Sequence, residues 1–164
     1  MPDVETPGAR AIFDRWVEWE PDDHAWTSYV RLELRANQPE RARGVFERYV
    51  QCHNLPKGWI KWAKFEEKQA ETARCREVFE RALQELDERD HTEEIFIAFA
   101  QFEERAKEWD RARVIYKYAL NNIPKSECQE LYKTFISIVI KQGPKVFNYF
   151  YGKLFPVSRN SIVK

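Results

Sequence analysis

Apolar residues in this chain recur at intervals of three and four, the period that lays one buried stripe along a helix, and strand-like alternation is absent. Residues 42–50 show the pattern plainly: Ala42, Val45, Phe46, Tyr49 and Val50 share one face, while Arg41, Glu47 and Arg48 lie around the others. The spacing predicts helices near 9–20, 23–36, 39–52, 57–70, 72–87, 92–107, 110–122 and 126–141. Pro39 suits a first helical turn, where its missing N–H costs nothing. Asp90 with Glu93, and Ser126 with Gln129, have the form of capping boxes.

Two motifs alternate along these helices. Segment A reads WTSYVRLE from Trp26, WIKWAKFE from Trp59 and FIAFAQFE from Phe96: an aromatic, a second aromatic three later (Tyr29, Trp62, Phe99), and a glutamate at the eighth place (Glu33, Glu66, Glu103). Segment B reads ARAIFDRW from Ala9, ARGVFERY from Ala42, CREVFERA from Cys75 and ARVIYKYA from Ala112. Trp26 to Arg43, Trp59 to Arg76 and Phe96 to Arg113 are each 17 residues, a constancy that turns similarity into a repeat. Successive A segments start 33 and 37 residues apart, within the range of stacked helix pairs, and the extra four belong to the polar stretch 86–94.

The predicted fold is all-α, a superhelical solenoid of antiparallel helix pairs. Residues 1–8 form a lead, and residues 9–143 an array opening on a B helix without its A helix. Three full repeats and one further A helix follow, the last marked by Tyr132, Phe135 and Ile136, with Val139 where glutamate stands elsewhere. Residues 144–164 leave the pattern. There Val146, Phe147, Phe150, Tyr151, Leu154 and Phe155 have helical spacing, consistent either with a helix covering the end of the stack or with loosely attached sequence.

Composition narrows the function classes. The chain has 164 residues and zero formal net charge, from 27 Lys+Arg against 27 Asp+Glu, which removes the general electrostatic reason for holding nucleic acid. Six Trp, seven Tyr and eleven Phe need burial, whereas only five Gly serve tight turns, against sandwiches, barrels and glycine-rich nucleotide folds. The most apolar run, residues 135–140, is far short of a membrane span, and the start MPDVETPGAR has no signal-like core. Cys52, Cys75 and Cys128 are odd in number and far apart, which suits a reducing compartment.

Candidate chemistry is sparse. Glu33, Glu66 and Glu103 lie on an otherwise apolar stripe and need cationic partners, for which the periodic Arg43, Arg76 and Arg113 are candidates, within a repeat or between repeats. A catalytic carboxylate has no reason to recur in every repeat. His24, His53 and His91 lie in or beside connections without a second ligand at helical spacing, so no metal or cofactor is expected, and no catalytic residue is assigned. Cys75 takes the small-residue place of Ala9, Ala42 and Ala112, consistent with packing. Trp26, Tyr29, Trp59, Trp62, Phe96 and Phe99 are expected in the core, whereas Trp19 and Trp109 are less constrained, and Lys61 with Lys64 makes a mildly basic face.

The pattern W-x-x-Y-x-x-x-E followed by A-R-x-[VI]-[FY]-[ED]-R resembles the half-a-TPR, or HAT, repeat. The tetratricopeptide pattern fits less well, because its Leu-Gly pair is missing at Tyr29–Val30 and Trp62–Ala63. FERYVQCHNLPKGWIKWAKFEEK and EEIFIAFAQFEERAKEWDRARVIYKYAL, within residues 6–136, resemble the crooked-neck family of pre-mRNA splicing factors. Lys117 and Tyr118 depart from the acid and arginine of segment B. The resemblance implies a nuclear, non-catalytic scaffold binding other spliceosomal proteins, and a fragment or truncated product, since family members carry many more repeats. A HAT scaffold of mRNA 3′-end processing and a single-stranded RNA-binding module remain as alternatives. The open first B helix, with Ile12, Phe13, Trp16 and Val17, is expected to expose an apolar patch and promote self-association.

Overall fold

The computed structural model describes residues 6–19 and 21–142. They form eight α-helices: α1 (Thr6–Trp19), α2 (Asp23–Arg35), α3 (Pro39–Cys52), α4 (Pro56–Lys68), α5 (Thr72–Glu85), α6 (Glu93–Arg105), α7 (Trp109–Asn122) and α8 (Gln129–Gln142). Short 3-10 turns occupy Glu88–Asp90 and Lys125–Glu127, and no strand occurs among the described residues. The all-α repeat class is therefore as the periodicity requires. Helix α1 starts inside the expected lead, since Pro7 fits a first turn whose N–H groups have no helical acceptor. Helix α8 starts later than expected because residues 125–127 wind more tightly.

Neither expected capping box forms. Asp90 belongs to a 3-10 turn and Thr92 is the N-cap of α6 without a side-chain hydrogen bond, while Ser126 lies within the second 3-10 turn. Pro39 and Pro56 occupy first-turn positions of α3 and α4. The aromatic tail expected from sequence lies outside the described residues.

The chain divides into two compact units, Met1–His91 and Thr92–Lys164. The division falls within the polar stretch that carries the four extra residues. In the first unit α1 packs on α2, α2 on α3, α3 on α4 and α4 on α5. The short connections make sequence neighbours antiparallel. Trp26, Trp59, Phe46, Tyr49 and Phe79 are buried in its core. In the second unit α6, α7 and α8 pack on one another around Ile95, Phe96, Tyr116, Leu131 and Ile138. Ala42, Cys75 and Ala112 are fully buried at one repeat position, and a Cβ added at Gly58 would come within 3.3 Å of the Tyr49 ring, so α3 and α4 approach closely there.

The A helices α2, α4 and α6 end in the same way. Asn37, Ala70 and Lys107, all eleven residues after the first aromatic of segment A, adopt positive φ of 54°, 60° and 63°. The following N–H groups of Gln38, Glu71 and Glu108 bond the carbonyls of Glu33, Glu66 and Glu103 at 2.9, 3.0 and 2.8 Å. This long-range closure, with a left-handed residue inside it, reverses the chain into the B helix.

Candidate docking groove and the ion-pair lattice around it

All six aromatic places of segment A are buried, as are Glu33, Glu66 and Glu103, whose exposures are 1%, 1% and 0%. The pairing between A and B helices runs between repeats. Arg43 of α3 grips Glu66 of the next A helix, Nε to Oε1 at 2.9 Å and a second guanidinium nitrogen to Oε2 at 2.8 Å. Arg10 of α1 grips Glu33 in the same way, at 2.8 and 2.7 Å. Arg10 was not among the candidate partners, although its place in ARAIFDRW matches that of Arg43. Trp62 Nε1 donates to Glu66 Oε1 at 3.1 Å, so that carboxylate receives both the fork and an indole N–H. Arg113, facing a helix with Val139 at the eighth place, bonds Gln142 at 3.1 Å and Asp110 at 2.9 Å instead. Arg76 is half-buried on α5.

A second lattice ties B helix to B helix. The acid and arginine of the F-[ED]-R motif serve different neighbours: Arg48 of α3 bonds Asp14 of α1 at 2.8 Å, and Arg81 of α5 bonds Glu47 of α3 at 2.9 Å. These bonds hold the Asp14 and Glu47 carboxyls below their usual range. Both arginines also cover tryptophan rings, Arg48 over Trp26 at 5.6 Å and Arg81 over Trp59 at 5.5 Å. The Arg48 and Arg81 side chains are 43% and 31% exposed, so contacts of this kind contribute about 0.5–1 kcal/mol each. In the last repeat Tyr118 replaces the arginine and Phe96 the tryptophan, and the two rings meet at 5.8 Å. The departure from the motif thus exchanges a cation over a ring for a ring beside a ring.

A third set links A helix to A helix from one repeat position. Asp23, at the start of α2, bonds Lys61 Nζ through both oxygens at 2.7 Å, pairs with Lys57 at 2.9 Å, and accepts the Tyr49 hydroxyl. Burial raises the Asp23 carboxyl, but the donors Lys61, Tyr49 and Lys57 together outweigh it and hold the group far below the usual carboxylate range. The equivalent Glu93 of α6 instead receives the N–H groups of Glu130 and Leu131 at 3.1 Å each, capping α8 from outside. One acidic place therefore secures the start of the next A helix by lysines in the first unit and by backbone donors in the second, where the helix dipole also favours it.

Between α2 and α4 these contacts leave a groove of about 260 Å³. Trp26, Phe46 and Tyr49 form its floor, Val30 and Leu34 one wall, and Phe65 with the stems of Lys61, Lys64 and Lys68 the other. Lysines 57, 61, 64 and 68 follow helical spacing, so α4 presents a basic ridge along that wall. Lys57 and Lys61 are engaged by Asp23, whereas Lys64 and Lys68 are exposed and make no ion pair among the described residues. The mildly basic face expected of Lys61 and Lys64 is divided between two roles. Lys61 is in fact a half-buried tie between helices.

The family described as PRP39 C-terminal HAT repeat matches residues 11–139. The chain belongs to this HAT-repeat family. The match bears out the half-a-TPR reading, and the family it names is PRP39 where the sequence resembled crooked neck. It places the chain with helical-repeat scaffolds of RNA processing; the family it names is that of a splicing factor. No curated protein matches the chain.

The remaining candidate residues of this HAT chain have structural settings. Cys75 Sγ donates to the Ala63 carbonyl at 3.2 Å, Cys128 is buried and Cys52 exposed. His53, in the connection after α3, is half-buried with its ring nitrogen on the Pro21 carbonyl. Among the described residues no cluster of three His, Cys, Asp or Glu is placed to hold a metal, and no helix is long and apolar enough to cross a membrane. At the first B helix, Phe13 is not an outward residue: it stacks on Tyr29 at 5.2 Å and Trp16 at 5.7 Å. Ile12 and Trp19, 67% and 86% exposed, are the outward apolar groups instead.

Proposed function

We propose that this HAT-repeat chain is a non-catalytic scaffold for protein–protein interactions in pre-mRNA splicing, acting in the nucleus on other spliceosomal proteins. The match of 129 consecutive positions, 11–139, to a PRP39 family carries the reading. The lattice is consistent with it, because the buried acids and their arginines lock helix to helix and leave recognition to exposed faces. In this reading residues 9–143 act as a repeat array, and Trp26, Tyr29, Glu33, Ala42, Arg43, Trp59, Trp62, Glu66, Arg76, Phe96, Phe99, Glu103, Ala112 and Arg113 hold its form rather than bind.

Affinity capture from nuclear extract tests the proposal. Splicing proteins retained by the chain, and retained after nuclease treatment, are the expected result. Recovery of cleavage and polyadenylation factors alone would move it to 3′-end processing. Binding only to RNA, weakening steeply as salt rises, would overturn the protein-scaffold reading.

A further inference from the structure

We propose that the groove between α2 and α4 takes an acidic, amphipathic helical segment of a protein partner, seating an apolar side chain on Val30 and Phe65 and two carboxylates on Lys64 and Lys68. The inference rests on the scaffold reading above and names the chemistry of one partner.

Charge decides the sign of the occupant. At one end of the groove Asp23 is saturated by Lys57, Lys61 and Tyr49, so it offers little to an incoming cation. At the other end Lys64 and Lys68 are exposed without an ion pair among the described residues. On α2, Arg31 and Arg35 are neighbours in sequence of the lining residues Val30 and Leu34, and both are exposed without an ion pair among the described residues. The open end is thus basic along its α4 wall, and a segment bearing carboxylates gains there while a basic one is repelled. Residues 143–164 carry Lys145, Lys153, Arg159 and Lys164 and no Asp or Glu, so the chain's own tail has the wrong charge for this groove.

Shape and surface decide its class. A volume of about 260 Å³ lies below the roughly 300–1,000 Å³ of small-molecule sites and suits anchoring side chains of a peptide. Nucleic acid would require a ring face on which a base can stack. The rings here are already used: Trp26 stacks on Tyr49 at 5.8 Å, and Phe46 meets Trp62 at 6.1 Å and Phe65 at 5.4 Å. The rings of Trp26, Phe46, Tyr49 and Phe65 are each 5% exposed or less, too little for a base to stack on, whereas Leu34 is 39% exposed at the rim. Lys64 and Lys68 stand one helical turn apart, a rise of about 6 Å, which a partner helix matches with acids at i and i+4.

The probe is a labelled synthetic helical peptide with a leucine stripe flanked by glutamates at i and i+4, titrated by fluorescence anisotropy into the full chain. Saturable binding is expected, weakened at least tenfold by Lys64→Glu with Lys68→Glu at unchanged melting temperature. A peptide with lysines in place of the glutamates should fail on the native chain and recover binding on the doubly reversed one. No saturable binding, or binding indifferent to the reversals, overturns the proposal. So does a single-stranded RNA oligonucleotide whose binding the same reversals abolish while the peptide stays unbound. Nuclear-extract capture separates the two readings: splicing proteins retained equally by native and reversed chains leave the scaffold standing without this groove, whereas their loss from both chains removes the scaffold as well.

Discussion

Replacing Glu66 by alanine tests whether the glutamates on the aromatic stripe hold successive repeats together. The carboxylate is 1% exposed and receives the Arg43 fork and the Trp62 indole N–H. Removing it orphans a buried indole donor and leaves a guanidinium whose side chain is only 14% exposed. Breaking a buried pair from one side costs about 3–5 kcal/mol. Arg43 retains Glu40 at 2.6 Å and some access to water, which places the expected loss near the lower figure, about 3 kcal/mol. A loss of that size lowers the melting temperature of a chain this long by roughly 6–12 °C. Glu71, exposed and making no side-chain cap bond, is the control, and its change to alanine should stay within about 0.5 kcal/mol. Thermal melts and urea titrations read the difference. A double-mutant cycle should give coupling for Arg43 with Glu66 and essentially none for Arg43 with Glu33. Equal stabilities for the Glu66 and Glu71 variants, or coupling to Glu33 instead, would refute the inter-repeat pairing.

Three further outcomes follow from particular contacts. Ala70→Gly relieves a left-handed alanine at φ 60°, and part of the roughly 1–2 kcal/mol strain should return as stability after the glycine's unfolded-state entropy is subtracted, giving a higher urea midpoint. Trp26 Nε1 is buried without a hydrogen-bond partner among the described residues, whereas Trp59 Nε1 bonds Asn54 at 2.9 Å; Trp26→Phe should therefore cost less stability than Trp59→Phe in paired melts. Asp14, Asp23 and Glu47 titrate below their usual range when folded, so their stabilisation is complete above their unfolded values near 4 and is lost as pH falls through the lower folded values. Burial raises Glu104 in the second unit more than its Tyr116 hydrogen bond lowers it, so its contribution runs the other way, present at low pH and lost as pH rises through its folded value. Hydrogen exchange between pH 5 and 3 should show protection falling in residues 23–61 sooner than in 93–116, and the reverse order would show the ion pairs of the first unit to be solvated.

Helix positions, the repeat and the buried aromatic stripe were legible in the sequence because each depends on a local rule. A period near 3.6 fixes which residues share a face, and the constant offset of 17 between Trp26 and Arg43, Trp59 and Arg76, Phe96 and Arg113 fixes how helices alternate. Partner choice was not legible. Arg43 stands ten residues after Glu33 and 23 before Glu66, and sequence distance favours the former; only the packing of α3 against α4 brings the latter into bidentate reach. The left-handed turn residues escaped because Asn37, Ala70 and Lys107 lack the glycine that usually marks such a place, and the conformation is imposed by the backbone closure that follows. The four lysines of α4 are plain in the sequence as a ridge, yet whether that ridge faces solvent, a carboxylate or a groove depends on α2, 33 residues earlier. Helical period is set by bonds within one segment, whereas the pairing of charges and the shape of a groove are set by which two segments share a boundary, and that is a property of the tertiary structure alone.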